Sequence, residues 1–171
     1  MSWLIRHSRW LTIAALLAAC GLAIGVRCFH LLRDDHYFVI SPDSHYFHRM
    51  AQFLVDGETI FYPTQNGVLP IDIFSGITYP LAAIARVFAL STSVSLADAL
   101  ELVSKLLPPA LGAATVLLIY FAISRLYGRM TGLLSAFVWA ILSVAVFHQA
   151  AGYLDRDCLS LVLITTGVFV F

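Results

Sequence analysis

Two carboxylates two residues apart, Asp155 and Asp157, close the stretch His148-Gln149-Ala150-Ala151-Gly152-Tyr153-Leu154-Asp155-Arg156-Asp157. Carboxylates at that spacing can share one hard divalent cation, and Mg²⁺ and Mn²⁺ prefer such oxygen donors. Apolar runs flank the stretch, and charge beside a membrane span is costly enough that it usually has a partner, a metal or a substrate. A structural reading competes, because acids in the first turn of the next helix would favour its dipole. Asp43 poses the same choice. It is either a first-turn acid behind Ser41-Pro42 or a third carboxylate for the same cation. His45 and His48, three residues apart, are metal donors on one reading and polar-face residues of an interfacial helix on the other. The Arg49 guanidinium matches phosphate oxygens, or else snorkels at an interface. Lys105 reads as a capping or interface charge rather than a catalytic amine. No nucleophile elbow, P-loop or nucleotide-binding glycine pattern is present, nor an internal repeat of the transporter kind.

The elements that must position these residues are apolar. Of 171 residues, 60% are hydrophobic and only 12% charged, against about 25% charged in soluble domains. The mean hydropathy is +0.88. This composition predicts an integral membrane protein, and its aromatic content of 13% suits interfacial belts. The zero net charge argues against a nucleic-acid partner. Cys20, Cys28 and Cys158 form no zinc or C-x-x-C pattern.

The fold expected is an all-α polytopic membrane protein with about four transmembrane helices and a large first outer loop carrying short amphipathic helices. A first span runs over about 10–28. Leu17-Ala18-Ala19-Cys20 resembles a lipoprotein box, but the apolar run continues through Val26, which favours an uncleaved helix. An outer loop follows over 29–100. Within it, Ser41-Pro42-Asp43 starts a helix, Tyr46, Met50, Phe53 and Leu54 give it an apolar face, and Asp56-Gly57 ends it. Tyr62 to Gly67 reads as turns, and Pro80 to about Leu90 as a second amphipathic helix at the interface, interrupted by Arg86. A second span covers about 102–126, with Pro108-Pro109 kinking it or marking its first turn. A third covers 130–147, the acidic turn 148–157, and a fourth begins over 158–171. The run from Leu159 to Phe171 is too short to cross a hydrocarbon core of about 30 Å. The chain therefore reads as the N-terminal part of something longer.

Charge sets the orientation. A cytoplasmic N-terminus puts Arg6, Arg9, Arg125 and Arg129 inside, obeying the positive-inside rule. It puts all ten acids outside, so Asp43 and the Asp155–Asp157 turn share one face.

With the motifs in place, the chain resembles the N-terminal part of the catalytic subunit of oligosaccharyltransferase, the membrane enzyme of asparagine-linked glycosylation. The resemblance rests on Asp43-Ser-His-Tyr46-Phe47-His-Arg49, on Gly76-Ile-Thr-Tyr79-Pro80, on a proline early in the second span, and on Ala151-Gly152-Tyr153-Leu154-Asp155-Arg156-Asp157. It implies a metal-dependent glycosyltransferase that moves an oligosaccharide from polyprenyl pyrophosphate to the asparagine amide of Asn-x-Ser/Thr in an acceptor polypeptide. Asp43 and Asp155 would hold Mg²⁺ or Mn²⁺ with support from Asp157, while Arg49, His148 and Tyr153 would contact substrate. The bilayer would be the plasma membrane of a prokaryote. The sequence departs from the family at His148, where many members carry arginine, and lacks a proline expected near Ser143. The family's further acidic residue and Trp-Trp-Asp module would lie beyond Phe171, so this piece alone is expected to be inactive. Two other readings compete. One is another lipid-donor enzyme, such as a protein mannosyltransferase or an aminoarabinose transferase. The other is a transporter or scaffold.

Overall fold

A computed structural model describes the backbone of residues 2–29, 42–57, 61–64, 67–70, 76–152, 154 and 156–170. The described chain is helical apart from one hairpin. Its elements are α1 (Ser2–Cys28), α2 (Pro42–Asp56), β1 (Phe61–Thr64), β2 (Gly67–Pro70), α3 (Thr78–Thr92), α4 (Leu96–Tyr127), α5 (Arg129–Ile141), α6 (Ser143–His148) and α7 (Arg156–Val170). Among the described residues, two stretches are long and apolar enough to cross a membrane, Arg9–Cys28 and Leu96–Tyr127. Arg129–Ile141 and Asp157–Val168 are shorter apolar helices.

The chain divides into two compact units. The first comprises Met1–Asp35, Pro108–Ala151 and Asp157–Phe171, and the second His36–Leu107 and Gly152–Arg156. In the first unit, α1 packs on α5 through small residues. Ala19 and Ala23 meet Ala136 and Ala140, with Val116 and Tyr120 of α4 completing a buried cluster. Side chains this small, four apart, let helix backbones approach closely without needing a hydrophobic driving force. Gly132 continues the stripe. A Cβ there would lie 2.7 Å from Ser124 Cβ and 3.0 Å from the Tyr120 carbonyl oxygen, so the α4–α5 hairpin closes only over glycine.

In the second unit, α2 packs against α3. The helix ends where Gly57 adopts φ 72°, a left-handed conformation that glycine enters freely. Its buried stripe is Ser44, Phe47, Met50 and Ala51, rotated from the expected Tyr46–Met50–Phe53–Leu54 face, whose other members are half-buried. The reason lies across the interface. Small Ala82 and Ala85 with Leu81 form the opposing α3 surface, and they accept alanine and phenylalanine closely. Arg86, expected to mark an interface, donates instead to the Leu54 and Val55 carbonyls at 3.0 and 3.2 Å. It thereby serves the α2 carbonyls that have no intrahelical amide.

Three expectations change. Tyr62–Thr64 is not a turn but a strand, paired antiparallel in the register Phe61↔Pro70 through Thr64↔Gly67, so the described chain is not wholly α. The helix expected as the second span begins at Leu96 rather than 102, because Ser95 caps it: the Asp98 amide donates to Ser95 Oγ at 3.1 Å, and Ser95 Oγ donates to the Asp98 carboxylate at 2.6 Å. Of the two positions the sequence allows for Pro108 and Pro109, the helix interior is the one observed. The third span, expected unbroken over 130–147, breaks at Leu142, whose backbone is extended at φ −61° and ψ 119°. The break stands beside Ser143 and needs no proline.

Candidate functional site

The acidic turn is positioned by backbone bonds that the helices leave open. Pro109 has no N–H to give the Lys105 carbonyl four residues before it. The Gly152 amide donates to that carbonyl at 3.1 Å. Gly152 itself sits at φ 76° and is buried. The Arg27 carbonyl, in the last turn of α1, also lacks an intrahelical partner. It accepts from the Ala151 amide at 2.9 Å. Two successive amides of the turn are thus held by carbonyls freed for identifiable reasons.

Asp157 lies in the first turn of α7, where a carboxylate favours the helix dipole by about 0.3–1 kcal/mol. Its Oδ2 is 3.5 Å from His148 Nδ1, an ion-pair distance without hydrogen-bond geometry. The carboxylate is 49% exposed, so the pair contributes at most ~1 kcal/mol. Both residues line a cleft of about 270 Å³ whose walls are otherwise mostly apolar, including Trp139, Leu142 and Leu161.

A second cleft, of about 530 Å³, follows the polar face of α2 past His45, His48, Arg49, Gln52, Phe53 and Asp56. The Arg49 guanidinium stands 5.7 Å from the Phe53 ring centre and is exposed, free to meet an anion. His48 is committed inward. Its Nδ1 is 2.8 Å from Ser104 Oγ, whose own proton goes to the Leu100 carbonyl at 2.7 Å. With the Ser104 proton directed to Leu100, Nδ1 is placed to donate to Ser104 Oγ. Burial lowers its pKa, the Glu101 charge raises it in part, and His45 adds to the lowering. Lys105 forms an ion pair with Glu101 at 3.0 Å, a charge-pairing role in keeping with its sequence reading.

Asp155 and Tyr153 lie outside the described residues. Asp43 is the second residue of α2, and its side chain also lies outside them. Among the described residues, no three His, Cys, Asp or Glu gather as metal ligands. The structure brings His148 to Asp157 and places Arg49 and His45 on one α2 cleft.

The sequence reading missed Arg27. Its side chain is fully buried in the first unit. Nη1 donates to the Ala23 carbonyl at 3.1 Å and the Ala140 carbonyl at 2.9 Å, and Nη2 donates to Gln149 Oε1 at 3.2 Å. Gln149 Nε2 passes to Thr115 Oγ1 at 3.3 Å, which donates to the Leu111 carbonyl at 2.8 Å. Its partners Ala140 and Gln149 are 113 and 122 residues away, so no local spacing announces it. The available signal was an arginine set just inside the end of an apolar run. In the comparisons with known proteins, the sequence matches no family model and no curated protein.

Proposed function

We propose that this chain is the N-terminal membrane portion of a metal-dependent oligosaccharyltransferase. Its reaction moves an oligosaccharide from polyprenyl pyrophosphate to the asparagine amide of Asn-x-Ser/Thr on the outer face of a prokaryotic plasma membrane. The observation that carries the reading is the stretch Ala151–Asp157. It combines a glycine held at positive φ, two flanking backbone anchors and an acid opening an apolar helix. The bilayer is supported by the large apolar side chains that α1, α4, α5 and α7 expose, among them Trp10, Leu17, Leu106, Leu134 and Ile164. Apolar surface on that scale suits lipid rather than water. In the topology proposed, α1 and α4 are full spans, α5 with α6 forms the third, and α7 begins the fourth. The N-terminus is cytoplasmic.

The donor set fits a hard divalent cation, because Asp43, Asp155 and Asp157 offer only carboxylate oxygens and the described member, Asp157, is half exposed beside a cleft. Mg²⁺ or Mn²⁺, when bound, would draw these carboxylates around the acceptor and offset charge on the departing pyrophosphate. The carboxylates orient the acceptor amide, a poor nucleophile, and accept its N–H bonds, so that attack begins from an aligned pose. His148, kept near Asp157, offers a donor to an anionic group in the cleft and is charged only when protonated. Arg49, on the α2 cleft, offers its guanidinium to phosphate oxygens. In the intact protein, Asp43→Ala and Asp155→Ala should each lower glycosylation of a sequon peptide more than about 100-fold. Retained turnover in either variant refutes the assignment.

A further inference from the structure

Arg27 has no place in the chemistry just described, yet it is the most demanding side chain of the first unit. It is fully buried, its Nε finds no partner, and no carboxylate among the described residues pairs with it. As a source of stability this is a poor device. Replacing a buried ion with an apolar side chain of like volume is often neutral or stabilising. What the guanidinium does supply is geometry. Its planar fork reaches acceptors on three different parts of the chain: Ala23 on α1, Ala140 in the last turn of α5, and Gln149 after α6. Arginine donates only, so the Gln149 oxygen must face it and the Gln149 amide must face Thr115, which fixes the amide's orientation. The break at Leu142 leaves the last carbonyls of α5 without amides four residues on, and Ala140 gives its oxygen to Arg27. The Arg27 carbonyl meanwhile takes the Ala151 amide. One residue therefore grips the chain at 149 by its side chain and at 151 by its backbone.

The seat is built for it. A Cβ on Gly112 would lie 2.4 Å from Arg27 Nε and 2.7 Å from its Cδ, so the guanidinium occupies the space an α4 side chain would fill. Lysine cannot reproduce the arrangement, because one ammonium on a flexible stem cannot hold three acceptors set apart in a fork.

We propose that Arg27 is a positioning residue for the acidic turn, fixing residues 149–151 through its guanidinium and its carbonyl so that His148 and the chain entering Gly152 keep one geometry. The catalytic half of this rests on the oligosaccharyltransferase reading, and the geometric half does not.

The test uses the intact protein in detergent with Arg27→Met, Arg27→Lys and Gln149→Met. Hydrogen exchange is followed in peptides covering 148–152 and in an α4 peptide. Transfer to a sequon peptide is followed with a polyprenyl-pyrophosphate donor and Mn²⁺. Arg27→Met and Gln149→Met should each speed exchange over 148–152 at least tenfold and leave α4 within twofold. Both should lower kcat at least tenfold with the peptide KM within twofold, and Arg27→Lys should not restore either. Where Arg27→Met fails to fold, Gln149→Met decides, since it cuts the link to 149 and leaves both carbonyl bonds of Arg27. Unchanged exchange over 148–152 overturns the clamp. Faster exchange with unchanged kcat overturns the catalytic half. A wild-type protein without transfer activity refutes the functional reading alone, and the exchange result still decides the clamp.

Discussion

Replacing Gly152 by alanine tests whether the acidic turn depends on its backbone conformation. The residue sits at φ 76°, where an L side chain brings Cβ against the following carbonyl. Holding alanine there costs about 1–2 kcal/mol. If the strained turn also gives up the Gly152 donation to the Lys105 carbonyl, about 1 kcal/mol more is lost. The range is then about 1–3 kcal/mol, and at about 2–4 °C per kcal/mol for a chain of this length the melting midpoint should fall by several degrees. A matched control separates strain from site. Gly128, in the α4–α5 connection, lies at φ 90° and ψ 164° with nothing within 4 Å of a Cβ, so Gly128→Ala meets backbone strain alone, also about 1–3 kcal/mol. Both variants should melt early in differential scanning fluorimetry, but only Gly152→Ala should slow peptide glycosylation. A Gly152→Ala protein as stable as wild type would sink the conformational argument. Equal losses of turnover in the two variants would show that strain anywhere, and not the turn, governs activity.

Gly132→Ala should destabilise by about 1–3 kcal/mol, since its Cβ would meet Ser124 Cβ at 2.7 Å. Gly167→Ala, with nothing within 4 Å, should stabilise by about 0.8–1 kcal/mol. Thermal unfolding of the two side by side checks the opposite signs. Because burial lowers the His48 pKa below its ordinary 6.5, the unfolded chain takes up that proton first. The contribution of neutral His48 is present above about 6.5 and is lost as pH falls through the lower folded value. Melting midpoints from pH 8 to 5 should fall less steeply in His48→Gln. Chelation of divalent cations should abolish sequon-peptide glycosylation, and Mn²⁺ should restore it. Asp157→Asn should raise the Mn²⁺ concentration giving half-maximal rate by about 10–100-fold, and an unchanged requirement would remove Asp157 from the site.

Local patterns carried what local physics decides. The first apolar run, expected over 10–28, appears as Arg9–Cys28, because hydropathy alone determines its extent. The start of α2 at Pro42 and its end at Gly57 follow from proline's fixed φ and glycine's freedom. What local patterns leave open or misread lies where distant groups decide. Of the two positions allowed for Pro108 and Pro109 the helix interior holds, and the carbonyl that Pro109 leaves open is taken by Gly152, far along the chain. The interruption at Leu142 has no proline or glycine to signal it. Its freed carbonyl is matched by Arg27, a residue the first span contains but no local pattern singles out. Of the site, Asp157 was legible from its neighbours, whereas its approach to His148 needed the turn between them to close.

Arg27 also bears on the order in which the chain is assembled. If α1 spans a bilayer as proposed, at a synthesis rate of about 5–20 residues per second it enters roughly 6–24 s before Gln149 exists to receive its guanidinium. An arginine within an apolar span is unwelcome in hydrocarbon until acceptors arrive. On that topology the side chain would reach for the headgroups in the interval, holding the end of α1 at the surface. Docking of α5 and the chain after α6 would then supply its acceptors on Ala140 and Gln149. The early helix would thus be a provisional insertion, completed only when the residues around the acidic turn have been made.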